Sequence, residues 1–274
     1  MNLYDAHNHL QDERFEGRQD DLVRGCKAVG VRAMVVNGSS EADWPDVAAL
    51  AQKDPGFVRP AFGYHPWHVH ERSAGWGEDL RRFLRATPGA GIGEIGLDRW
   101  KPGLDFAAQQ PVFQAQLALA AEHDVPASIH CLQAWGRLFD LLREGPVPRR
   151  GFLLHSYGGP VEMVGPLASL GAWFSFPGYF AHERKRRQRE TFLQVPPDRL
   201  LIETDAPDQT LPPRLVRYPL PSNTPDRPLN HPANLGAVYE FVADLRGMPV
   251  EDLAVQVEAN FLSLFGVPVS IPGS

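Results

Sequence analysis

Leu3-Tyr4-Asp5-Ala6, residues 3–6, is a short apolar run that His7 and His9 close. The same construction returns along the chain, with further apolar runs at 32–36, 58–62, 90–95, 126–129, 151–154, 172–176 and 200–202, about eight in all. Between them stand stretches with apolar positions three and four residues apart, at 20–29, 46–52, 78–85, 109–123, 134–143, 161–170 and 183–193. Two more such stretches, 235–245 and 251–265, follow the last run. Continuous apolar runs suit strands covered on both faces, as in a parallel sheet. Strand and helix alternating eight times in about 250 residues predict an α/β fold, a (β/α)8 TIM barrel, as one domain over 1–274 with its active site at the C-terminal ends of the strands. An open doubly wound sheet permits the same alternation, but no G-x-G-x-x-G follows the first run. Segment 207–232, rich in proline and without helical periodicity, predicts a long loop, either a functional lid or a disordered insert.

The 274 residues carry 27 basic and 33 acidic side chains, a net charge of −6, with 43% hydrophobic and 22% charged residues. That composition excludes wholesale disorder. The acidic balance argues against a nucleic-acid binder that relies on overall charge, yet leaves room for a local basic patch such as 183–189. Cys26 and Cys131 stand far apart with no C-x-x-C, which excludes a disulfide framework and a zinc–cysteine module. Cys131, beside His130 but without a separate base, reads as a small core residue. The amino terminus has no basic segment followed by an apolar stretch, and no apolar run nears the ~20 residues of a membrane span. A cytoplasmic protein without membrane contact is expected.

Metal-capable side chains fall at one end of the predicted strands: His7 and His9 after the first, Glu94 at the fourth, His130 at the fifth, His155 at the sixth and Asp205 after the eighth. Residues i and i+2 of a strand share a face, so His7 and His9 can reach one ion together. Taken singly, an H-x-H or a histidine after an apolar run is ordinarily a core or surface residue. Independent structural histidines, however, have no reason to choose the same ends of several strands. Imidazole nitrogens and carboxylate oxygens together predict one or two divalent ions, with Zn²⁺ or Mn²⁺ better suited than Mg²⁺.

The strings Asp5-Ala6-His7-Asn8-His9-Leu10, Gly63-Tyr64-His65-Pro66, Gly91-Ile92-Gly93-Glu94-Ile95-Gly96-Leu97-Asp98, Ile129-His130, Leu154-His155 and Glu203-Thr204-Asp205-Ala206-Pro207 resemble those of the TatD-type metal-dependent hydrolases of the amidohydrolase-like barrels. The resemblance runs in order from Asp5 to the closing Asn260-Phe261-Leu262-Ser263-Leu264-Phe265. It implies a deoxyribonuclease acting on DNA ends or single strands. It also implies that His7, His9, Glu94, His130, His155 and Asp205 ligate metal, Glu94 spanning two ions. Asp205 would then take the proton of the attacking water, His65 would fix or neutralise the scissile group, and Tyr157 would keep an aromatic platform for substrate.

Departures from the family pattern fall on the substrate side. Leu132 stands where an arginine is usual, with Arg137 or Arg99 as possible substitutes. Ser156-Tyr157-Gly158-Gly159 replaces Cys-Phe-Ser-Gly, and Asn230-His231-Pro232 replaces Asn-Glu-Pro. A second reading therefore keeps the metal but changes the bond, to a small cyclic amide, lactone or ester. A non-catalytic scaffold with structural zinc needs fewer ligands than these six residues supply. His68 and His70, in the loop after the third run, are further candidates for substrate contact.

Overall fold

The computed structural model describes residues 1–224 and 228–266. Eight parallel strands follow one another round a barrel in chain order: β1 (Leu3–Asn8), β2 (Val31–Asn37), β3 (Val58–Phe62), β4 (Gly91–Asp98), β5 (Ala127–Leu132), β6 (Phe152–Leu154), β7 (Ala172–Pro177) and β8 (Leu200–Glu203). The crossover helices are α1 (Gln19–Ala28), α2 (Trp44–Lys53), α3 (Trp76–Ala86), α4 (Phe106–His123), α5 (Trp135–Glu144), α6 (Val164–Ser169) and α7 (Arg186–Phe192); α8 (Leu235–Arg246) and α9 (Val250–Phe265) close the chain over β1 and β8. Strand order never reverses, so the open doubly wound alternative is excluded.

The barrel shuts where β8 meets β1. Asp205 N–H donates to the His7 carbonyl at 2.9 Å and His9 N–H to that of Ala206 at 2.8 Å. The buried Asp5 carboxylate accepts from Thr204 N–H at 2.9 Å and from the Thr204 hydroxyl at 2.6 Å. These bonds hold the ends of the first and last strands, and their histidines and carboxylate, side by side.

Nearly every strand residue is buried, because helices cover the outside and side chains fill the inside. Gly96, at φ +149°, has no room for a side chain: a Cβ there would lie 2.0 Å from the His130 carbonyl oxygen. Glycine thus lets β4 and β5 close up beside a site histidine. The longest helix, α4, starts where Asp105 accepts from the backbone N–H groups of Ala107 and Ala108, and α8 stops at Gly247 in the left-handed region.

Three expectations need adjustment. β1, β4 and β5 run on to Asn8, Asp98 and Leu132, through polar residues that the apolar runs did not include, so Glu94 lies in the middle of its strand. The stretches 161–170 and 183–193 each open as a 3-10 turn before α6 and α7 begin. For the second, consecutive Arg184, Lys185, Arg186 and Arg187 put like charges at a helix start, where the macrodipole opposes them. Segment 207–232 holds a small antiparallel pair, β9 (Pro219–Leu220) with β10 (Leu229–Asn230); its residues 225–227, like 267–274 of the expected domain, lie outside the described residues. Asn230 ties this segment to the barrel, its N–H donating to Pro207 O and its side-chain amide to Thr204 O, both at 2.8 Å. Among the described residues no helix is long and apolar enough to cross a membrane.

Candidate metal centre

At the C-terminal mouth five imidazoles surround one buried carboxylate, that of Glu94. His65 Nε2, His130 Nδ1 and His155 Nε2 lie 3.3, 3.1 and 2.9 Å from its Oε1. His7 Nε2 and His9 Nε2 lie 3.4 and 3.1 Å from its Oε2. Asp205 Oδ1 completes the second group, 3.6 Å from His7 Nε2 and 3.7 Å from His9 Nε2. All six expected ligand residues are therefore together, and His65 has joined them. The strand register explains it: a shift between Ile92 and Ile95 in the β4–β5 pairing accompanies the tie of Glu94 N–H to Gly38 O at 2.7 Å, turning this mid-strand carboxylate into the mouth.

Partners outside the cluster set which ring nitrogen faces inward. His9 Nδ1 donates to Asn37 O at 2.8 Å, leaving Nε2 to the cluster. His130 Nε2 donates to Asp98 Oδ2 at 3.0 Å, leaving Nδ1. His155 Nε2 points inward while its Nδ1 lies 3.7 Å from Glu203 Oε1. A ring that gives its outer proton away presents a lone pair inward, as ligation of a cation requires. His65 differs. Its Nδ1 accepts from Trp67 N–H at 3.2 Å, so the neutral ring carries its proton on Nε2 and presents a hydrogen-bond donor to the mouth. His65 is arranged to donate to an oxygen rather than to ligate.

Burial opposes charge at each of these groups, and the departures show where charge has nonetheless gathered. His7 and His65 are pushed down to about 4, burial being the main cause. For His9 burial acts downward, but the bond to Glu94 and its charge lift the ring to about 9. His130 and His155 also rise against burial, through Asp98 and Glu94 for the first and through Glu94 and Glu203 for the second. Burial would raise Glu94, yet the surrounding His65, His155 and His7 hold it well below the carboxylate range. Asp205 is pushed up to about 7 by burial. Protons on imidazoles stand where a dense group of donors calls for positive charge. His, Glu and Asp donors within 3–4 Å of one another, with the lone pairs of His9 and His130 turned inward by their outer partners, fit a divalent cation on each side of Glu94.

Four residues without an assigned role in the sequence reading hold the cluster. Asp98 accepts from Trp67 Nε1 at 2.7 Å, from the backbone of Trp100 and Lys101, and from His130. Glu203, wholly buried, accepts from Ser156 and Ser175. Gln209 donates to Asp205 Oδ2 at 2.6 Å, which leaves Oδ1 facing the imidazoles. Asn37 supplies the carbonyl under His9. Two spacings carry a signal for them: Glu94 and Asp98 stand four apart within β4, on one face of the strand, and Glu203 ends β8 two residues before Asp205. Asp205 and Gln209, with Gln133 and Ser156, hold φ between +46° and +54°, a concentration of left-handed, non-glycine backbone at the rim.

Other candidates lie elsewhere. Tyr157 is fully buried, packs edge-on against Trp135 and Phe174, and donates its hydroxyl to Pro160 O at 2.7 Å, so it offers no atom to a substrate in this conformation. His68 pairs with Glu71 at 3.0 Å, and His70 lies on the exposed side of the same loop. His231 caps a 3-10 turn, its Nδ1 accepting from Ala233 N–H at 3.0 Å. Cys131 is buried and its thiol is pushed up by burial, as befits a core residue. Arg137 is held by Gln110 at 2.6 Å, whereas Arg99 stands at the rim, its backbone N–H bonded to Leu132 O at 2.9 Å.

Residues 4–266 match a family model described as TatD related DNase. The 3'-5' ssDNA/RNA exonuclease TatD of Pantoea vagans is 30% identical over 267 residues, covering 96% of this chain and 99% of that protein. The protein of the same name from Erwinia tasmaniensis is 31% identical over 266 residues, covering 97% and 100%. Among solved structures, the TatD homologue YJJV from Escherichia coli K12 superposes with a TM-score of 0.86 at 26% identity, covering 97% of this chain and 98% of that one.

Proposed function

This chain belongs to the TatD-related DNase family and is a metal-dependent hydrolase of the nuclease class, and from that premise we propose which bond it cuts and with which residues. It hydrolyses phosphodiester bonds at a free 3' end of single-stranded DNA or RNA. Two divalent ions would be held by Glu94 together with His7, His9 and Asp205 for one and His130 and His155 for the other, with Zn²⁺ or Mn²⁺ matched to so many imidazoles. The observation that carries this reading is the single carboxylate with imidazoles on both of its oxygens.

Such ions supply Lewis-acid polarisation of a phosphoryl oxygen and make a water acidic enough to lose its proton near neutrality. The protein's residues do the rest. Asp205, anchored through Oδ2 by Gln209, offers Oδ1 as the acceptor of the water's proton. His65 donates from Nε2 to the charge that develops on the phosphate, and its low pKa keeps the ring neutral there, with the proton on Nε2. Asp98 and Glu203 hold the rings of His130 and His155 in place from behind.

A side-by-side assay tests this function. Single-stranded oligonucleotides labelled at either end, a panel of lactones and cyclic amides, and chelator followed by Zn²⁺, Mn²⁺ or Mg²⁺ would be compared. The expected result is stepwise shortening from the 3' end that chelation stops and metal restores. Hydrolysis of a lactone or cyclic amide with no cleavage of nucleic acid would replace the proposal with the small-substrate alternative.

A further inference from the structure

Resting on the nuclease reading, we propose that Trp100 is a stacking platform for a nucleobase of the single strand, next to the metal centre and flanked by cations that meet the phosphates. Trp100 is 57% exposed, the most exposed aromatic side chain of its size among the described residues. No aromatic ring or cation lies over its indole among those residues, unlike its neighbours: Lys101 Nζ sits 3.9 Å from the Trp67 ring centre, and the Arg99 guanidinium 4.4 Å from that of Phe106. Arg99-Trp100-Lys101 thus presents one uncovered indole between two positive charges, on a chain whose net charge is −6.

The loop is not a free surface segment. Asp98 Oδ1 accepts from Trp100 N–H at 2.7 Å and from Lys101 N–H at 3.0 Å, while its Oδ2 accepts from Trp67 Nε1 and from His130 Nε2. One buried carboxylate therefore fixes both the backbone that carries the indole and an imidazole of the catalytic cluster. An indole face recognises any base, because every base has a π-face, and the flanking cations track the backbone without reading sequence. After β7, Arg184 and Lys185 lie within 5.1 Å of the Tyr179 ring, a second cationic group that suits the phosphates of the same polymer. A strand without bases can use the cations but not the indole.

The test compares wild type, Trp100→Ala and Trp100→Phe on two oligonucleotides of equal length and charge, one with ordinary bases and one whose last three 3' nucleotides are abasic. Wild type is expected to show a KM about tenfold higher on the abasic strand, the effect of one stacked base. Trp100→Ala should raise KM about tenfold on the base-bearing strand and leave it unchanged on the abasic strand, with kcat nearly constant. Trp100→Phe, which keeps an aromatic face, should stay within about threefold of wild type. Equal effects of Trp100→Ala on both strands, or none on either, would overturn the platform while leaving the nuclease intact. A wild-type enzyme inactive on both strands would overturn the nuclease reading and the platform with it.

Discussion

Glu94→Gln is expected to lower turnover by roughly 10⁴-fold or more while the barrel stays folded. Glutamine preserves the shape of the side chain but removes the one anion that five imidazoles share. Lewis-acid stabilisation of the transition state is worth several kcal/mol, and a factor of ten is about 1.4 kcal/mol, so losing both ions costs at least that much rate. Thermal unfolding separates loss of metal from loss of fold. A cation at a hundred times its Kd stabilises the native state by about 2.7 kcal/mol, which at 2–4 °C per kcal/mol for a chain of this size raises Tm by about 5–10 °C. Wild type should show that rise on adding metal, and Glu94→Gln should show little of it while keeping its metal-free Tm within a few degrees. A variant that still gains the full increment would deny Glu94 its bridging place.

Asp205→Asn should lower kcat by about 10²–10⁴-fold, the worth of a positioned base, with the fold kept and metal bound more weakly. The amide matches the shape of the carboxylate and can still bond Gln209, but it cannot take a proton. The pH profile gives a sharper sign. Burial raises Asp205 to about 7 in the metal-free protein, and a cation beside it favours the charged form and lowers that value. A base acts when deprotonated, so wild-type kcat should climb with pH below neutrality and then level. In Asp205→Asn the acid limb assigned to this carboxylate should vanish. A variant that retains both the rate and the limb would place the proton acceptor elsewhere.

Most of the barrel, and the set of residues that gathers at its mouth, were legible in the primary structure because apolar runs and the polar residues that close them left separate marks. The apolar runs marked the strands: Val58–Phe62 ends where expected, and the other runs lie within a residue or so of the observed starts. Strand ends were harder wherever the chain turns polar while still paired. Glu94 and Asp98 lie inside β4 because the barrel mouth, not solvent, receives their side chains. Asp98, Glu203 and Gln209 went without a role because their work is relational. Each holds a group supplied by another strand or loop, and only register and the direction of a ring nitrogen show which. Tyr157 illustrates the reverse: the residue type suggested a platform, yet a buried ring with a satisfied hydroxyl belongs to the wall beneath. Trp100 drew no notice in the sequence, since a single exposed tryptophan acquires meaning only from what its backbone is tied to.

Anomalous scattering from crystals grown with Zn²⁺ or Mn²⁺, recorded on both sides of the metal's absorption edge, tests the central claim most directly. Two peaks are predicted, about 2.0–2.2 Å from their ligand atoms. One should be bonded to Nε2 of His7 and His9, to Asp205 Oδ1 and to Glu94 Oε2, the other to His130 Nδ1, His155 Nε2 and Glu94 Oε1. Density confined to the outer surface, or a mouth that binds no metal at concentrations that support activity, would contradict it.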